Sequence, residues 1–139
     1  MKSISEVMTT DVHVVNPSDS IQEAARKMAS ADVGSLPVGD DDRLVGMITD
    51  RDIVTRAIAE GKDTNTPVRE IMTEKIRYCY DDDDVEGVAK NMAELEVRRL
   101  PVVNRDKRLV GIVALSNITY HGSRSAAKNF LHGVAEPHQ

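Results

Sequence analysis

Apolar and polar positions follow two alternating rhythms along this chain, and the order of rhythms occurs twice. Val12-His13-Val14-Val15 reads as a short strand closed by Asn16-Pro17. Ile21, Ala24, Ala25 and Met28 recur at i, i+3, i+4 and i+7, with Ser20 and Glu23 at capping-box spacing, which predicts an amphipathic helix to about Ala31. Leu36-Pro37-Val38 and the run Leu44 to Ile48 flank the polar Gly39-Asp40-Asp41-Asp42-Arg43 segment and predict a hairpin. A second helix is expected to open at Thr49, to turn Ile53, Val54, Ala57 and Ile58 inward, and to stop at Gly61. The same strand, helix, strand, strand, helix order returns with Ile76 to Tyr80, Val85 to Leu95, Leu100 to Val103, Arg108 to Val113 and a helix from about Ser116.

From residue 7 the chain aligns with itself from residue 71 at an offset of 64, which becomes 65 after one inserted loop residue. Met8-Thr9 matches Met72-Thr73, Leu36-Pro37-Val38 matches Leu100-Pro101-Val102, and Arg43-Leu44-Val45-Gly46 matches Arg108-Leu109-Val110-Gly111. A shared apolar frame with divergent polar positions is the mark of a duplicated unit. The expected organisation is a first repeat over 1–61, a linker over 62–70 punctuated by Pro67, a second repeat over 71–121, and a tail over 122–139 in which Ala126, Ala127, Phe130, Leu131 and Val134 form a weak apolar set. One copy of about 50 residues buries too little surface to stand comfortably alone. The expected fold is therefore α/β (α+β): two β-α-β-β-α repeats sharing one core about a pseudo-two-fold axis, with two equivalent clefts between them.

Composition narrows the function classes. The 139 residues carry 18 basic and 23 acidic side chains, a net charge of −5, which argues against a surface that tracks nucleic-acid phosphates. Val and Ile together (17 and 9) outnumber the 7 Leu, so a purely helical bundle is disfavoured. Trp is absent and aromatics make up 3% of the chain, leaving little to stack on single-stranded bases. No apolar run approaches the roughly 20 residues of a membrane span, and Glu6 interrupts any secretory start, so a cytoplasmic protein is expected.

These residues resemble a tandem cystathionine-β-synthase (CBS) domain pair, or Bateman module, over roughly 4–121. The resemblance rests on Met-Thr before the first strand of each copy, on Leu-Pro-Val in its middle, and on Gly46-Met47-Ile48-Thr49-Asp50-Arg51-Asp52-Ile53. The chain is also similar to small stand-alone bacterial proteins made of this pair alone. The resemblance implies a regulatory sensor of an adenosine ligand (AMP, ADP, ATP, S-adenosylmethionine or NAD), homodimeric, with no required cofactor and an effector protein as a possible partner. It implies that adenine lies against Met47, Ile76 and Val97, that Asp52 takes the ribose, and that Thr49, Arg51 and Arg98 or Arg99 approach the phosphate. On spacing alone, Thr49 and Asp52 read as a capping pair that needs no ligand; the repeat frame favours binding. Strand alternation is expected to send Arg98 and Arg99 to opposite faces.

The second cleft reads as degraded. Ala114 and Asn117 stand where the first copy has Thr49 and Asp52, and Gly34-Ser35 stand where the second has Arg98-Arg99; Val12, Val33 and Val113 would complete its walls. Asp81-Asp82-Asp83-Asp84 precedes a helix and reads as a capping cluster, lacking the alternation of a calcium loop. Cys79, alone and mid-strand, reads as a core filler. His13, His121, His132 and His138 show no metal-ligand spacing, so no metal site is expected. No nucleophile–base arrangement can be assembled, so a catalytic function is not expected. The alternative reading is a ligand-free dimeric stress-response scaffold; a redox or metal-dependent enzyme built on Cys79 and a tail His is more remote.

Overall fold

Ser20 and Asp84 each begin a helix in the same way. Their side chains accept the backbone N–H of the residue three positions on, Glu23 and Gly87, which satisfies an otherwise orphaned donor. The computed structural model describes residues 2–121. Helix α1 (Ile21–Ala31) buries Ile21, Ala24 and Met28, and α3 (Val85–Leu95) buries Val85, Val88, Ala89, Met92 and Ala93. Both end on a residue in the left-handed region, Asp32 and Glu96, as helix termini often do. Strands β1 (Ser35–Asp40) and β2 (Arg43–Thr49) form an antiparallel hairpin. It is followed by a turn of helix α2 (Asp50–Asp52), which continues as a π-helical stretch over Ile53–Ile58. In the second repeat β3 (Cys79–Tyr80) pairs parallel with β4 (Arg99–Val103), β4 pairs antiparallel with β5 (Leu109–Ala114), and α4 (Leu115–His121) follows.

The expected first strand at Val12 to Val15 is reduced to a single parallel bridge, Val15 to Val38. Its duplicate is the Cys79–Val102 pair of β3 and β4, so the strand expected from Ile76 shortens to two residues. The hairpins share an irregularity at equivalent positions, Val38/Gly39 and Val102/Val103. Their tips differ. Asp41 and Asp42 both take positive φ, 53° and 67°, between the paired Asp40 and Arg43. That is the two-residue hairpin turn that favours glycine. Asp42→Gly should therefore stabilise the fold by about 0.5–1 kcal/mol, the left-handed penalty for an L-residue less glycine's entropy; urea denaturation measures it.

The chain divides into two units, His13–Ile76 and residues 2–12 with 77–121, and these do not coincide with the repeats read along the sequence. Each unit is completed by the leading segment of the other repeat. Ile4 N–H donates to Asp83 O at 2.9 Å and Ser5 N–H to Asp81 O at 2.9 Å; the duplicates are Val68 to Asp19 O at 2.8 Å and Arg69 to Pro17 O at 3.0 Å. Thr9 then pairs with Ile112, and Thr73 with Met47. The segment expected to be a linker thus ends in a 3-10 turn, Val68–Glu70, with Val68 and Ile71 fully buried. Each unit holds one apolar cluster, Ile4 to Ile118 in one and Val15 to Ile71 in the other. Val54 and Ile58, expected to face inward, are 59% and 57% exposed, while Ala57 is buried. The widened π turn alters the spacing from which a buried face was read. No helix among the described residues is long and apolar enough to cross a membrane. The tail over 122–139, with His132 and His138, lies outside the described residues.

Candidate functional site

Strand β2 delivers Thr49 to the point where extended backbone becomes helical. Thr49 Oγ1 accepts the Asp52 N–H at 3.0 Å, and Asp52 Oδ2 accepts the Thr49 N–H at 3.0 Å. This is a complete capping box. Asp52 Oδ1 faces Arg56 Nη1 at 4.0 Å, and the Asp52 side chain retains 15% of its surface. An ionised carboxylate offers about four acceptor directions, so capping does not exhaust it. Gly34 and Ser35 adjoin the same turn: Ser35 pairs with Thr49 across the hairpin, and Gly34 O accepts the Asp50 N–H at 2.9 Å. A side chain at Gly34 would begin 3.1 Å from Asp50 Oδ2. Met47, half-buried, is paired with Thr73, and Arg51 is exposed on the helical turn.

The second unit holds the duplicate turn with altered chemistry. Asn117 Oδ1 accepts the Ala114 N–H at 2.9 Å, and Ala114 has no hydroxyl to reciprocate. With its oxygen on that N–H, the amide has only its NH2 group left, a donor where Asp52 has a second acceptor oxygen. Arg99 pairs with Ala114, and Arg98 O accepts the Leu115 N–H at 2.9 Å. Arg98 lies one residue before β4, which begins at Arg99, and both arginines are exposed. Val113 is fully buried in its unit's core and Val97 packs against that core; Val12, Val33 and Ile76 are half-buried.

Each unit thus joins residues read from different clefts. Thr49 and Asp52 sit with Gly34 and Ser35 in one; Arg98 and Arg99 sit with Ala114 and Asn117 in the other. Arg56 was not read from the sequence as part of the site, although its i+4 spacing from Asp52 is a visible pairing signal.

The remaining chemical candidates are occupied structurally. Asp82 grips Arg105 through two hydrogen bonds, 2.7 and 3.0 Å, and Arg105 lies 4.0 Å over the Tyr80 ring. That pairing holds the Asp82 carboxyl below its ordinary range. Asp83 accepts the Tyr80 N–H at 2.9 Å, and Asp84 caps α3. Burial first, then the charges of Asp83 and Asp81, push the Cys79 thiol up to about 12, which leaves it protonated and unreactive near neutral pH. Among the described residues no three His, Cys, Asp or Glu side chains are grouped to hold a metal ion.

The family model described as CBS domain matches residues 4–58 and again 68–123. YhcV, a CBS domain-containing protein of Bacillus subtilis (strain 168), is 39% identical over 137 residues, covering 95% of this chain and 97% of its own. The crystal structure of Hypoxic Response Protein I, with two coordinated zinc ions, superposes with a TM-score of 0.76 at 38% identity, over 86% of this chain and 98% of that one. CBSX2 in complex with AMP superposes with a TM-score of 0.74 at 29% identity, over 86% and 95%.

Proposed function

This chain belongs to the CBS-domain family, and we propose that it is a non-catalytic, homodimeric regulatory module that binds an adenosine-containing ligand through the turn Thr49–Asp52. The observation that carries the reading is the asymmetry between duplicated turns. Asp52 keeps a second carboxylate oxygen beside its capping bond, whereas Asn117 commits its one side-chain oxygen to the Ala114 N–H. A ribose diol donates two hydroxyl protons and needs such an acceptor. Arg51, on the same turn, supplies a cation near the phosphate. CBSX2, with AMP bound, supports this ligand class. Ligand binding would favour one arrangement of the module, and a partner protein would respond to it.

A complete capping box is also self-sufficient, which favours the ligand-free scaffold as a second reading. Calorimetry and thermal melting of the full chain with AMP, ATP, S-adenosylmethionine and NAD decide between them. The sensor reading expects about one ligand per chain and a stabilisation of ~2.7 kcal/mol at 100 times the Kd. No shift with any of the four selects the scaffold, and two equal sites per chain overturn the argument from Asn117.

A further inference from the structure

Arg56 lies four residues after Asp52, within the π-helical stretch, and one atom of its guanidinium faces two different segments. Nη1 stands 4.0 Å from Asp52 Oδ1 and donates to the Met72 carbonyl at 3.4 Å. Asp52 Oδ2 is meanwhile held by the Thr49 N–H. Met72 is itself anchored. Its N–H donates to Val68 O at 3.0 Å, and its neighbour Thr73 exchanges two hydrogen bonds with Met47, at 2.9 and 3.0 Å. We propose that Arg56 is a positioning residue, which holds the Asp52 carboxylate against the docked Met72–Thr73 segment and thereby sets the site's preference for an intact ribose diol. This rests on the ribose role proposed for Asp52.

A carboxylate tethered by one oxygen can pivot about its last torsion, and a pivoting group meets two hydroxyls less well than a fixed one. At 4.0 Å the guanidinium is close enough to orient the charge. It lies beyond hydrogen-bond length, so the lone pairs of Oδ1 stay available to a ligand. The second repeat has lost both partners, with Asn117 and His121 at the duplicate positions. An i,i+4 pair whose arginine is half exposed adds little to stability, so its effect should be read in recognition.

The test is calorimetry of the full chain with AMP and with 2′-deoxy-AMP. The unsubstituted protein should prefer AMP by about ten-fold or more; Arg56→Ala should shrink the preference to roughly two-fold, with the melting temperature nearly unmoved, and Arg56→Lys, which keeps the cation, should recover most of it. An unchanged preference in Arg56→Ala overturns the proposal. So does an equal weakening of both nucleotides, which would place Arg56 at the phosphate. If the unsubstituted protein binds AMP without preference, or not at all, the ribose role of Asp52 falls and this inference falls with it.

Discussion

Gly111→Ala and Gly46→Ala should each destabilise the fold by about 3 kcal/mol, the upper part of the range for overpacking a filled site, and lower the melting temperature by roughly 10 °C. A Cβ at Gly111 would stand 2.7 Å from Met8 Sδ and 2.9 Å from the Thr9 carbonyl oxygen; at Gly46 it would stand 2.9 Å from both Met72 Sδ and the Thr73 carbonyl oxygen. A methionine can swing aside. The carbonyls have no such freedom, because Thr9 O accepts the Ile112 N–H at 2.9 Å and Thr73 O accepts the Met47 N–H at 3.0 Å. An added methyl group must therefore break the bridge that docks each leading segment, and with it the seating of buried Ile4 or Val68. Gly87→Ala is the control. Its Cβ would meet only Asp84 Oδ2, at 3.8 Å within a helix, so the same chemical change should stabilise by about 0.4–1 kcal/mol. Small, equal effects in all three variants would show that the docked segments yield.

That docking was only half legible in the sequence. The repeated Met-Thr pairs and the repeated Gly46 and Gly111 are visible, but nothing local to residues 8 and 9 says that they lie on the glycine at 111. A segment that pairs through two residues carries no periodicity to mark its partner. Helices α1 and α3 were legible almost to the residue because their caps and their apolar spacing are local properties. The strand read at Val12 to Val15 failed for the opposite reason: strand length is set by the partner, and only Val15 finds one. Val54 and Ile58 were misread because a 3.6-residue period was applied to a stretch wound more widely. In the site, the Thr49–Asp52 pairing was legible as a cap. Arg56, which reaches a carbonyl sixteen residues away, was not.

Asp52→Ala should weaken binding of an adenosine ligand by about ten-fold or more, since hydrogen bonds to a charged group contribute roughly 1.5–3 kcal/mol. The fold should lose much less. Thr49 Oγ1 still has the N–H of residue 52 to accept, and only the reciprocal bond from Asp52 Oδ2 to the Thr49 N–H disappears. Losing one acidic side chain from a first helical turn costs up to about 1 kcal/mol. Binding and stability therefore separate the two roles of this residue. A protein in which Asp52 only caps the turn melts slightly lower and binds as before; one in which it also holds the ribose melts slightly lower and loses its ligand. Asn117→Ala is the matched substitution in the other repeat. It removes the acceptor of the Ala114 N–H at a similar small cost in stability and should leave affinity unchanged, because its one oxygen is already taken by that N–H. Calorimetry on both variants, beside their melting curves, completes the comparison. Equal losses of affinity from Asp52→Ala and Asn117→Ala, or none from Asp52→Ala in a protein that binds, would place the ligand elsewhere.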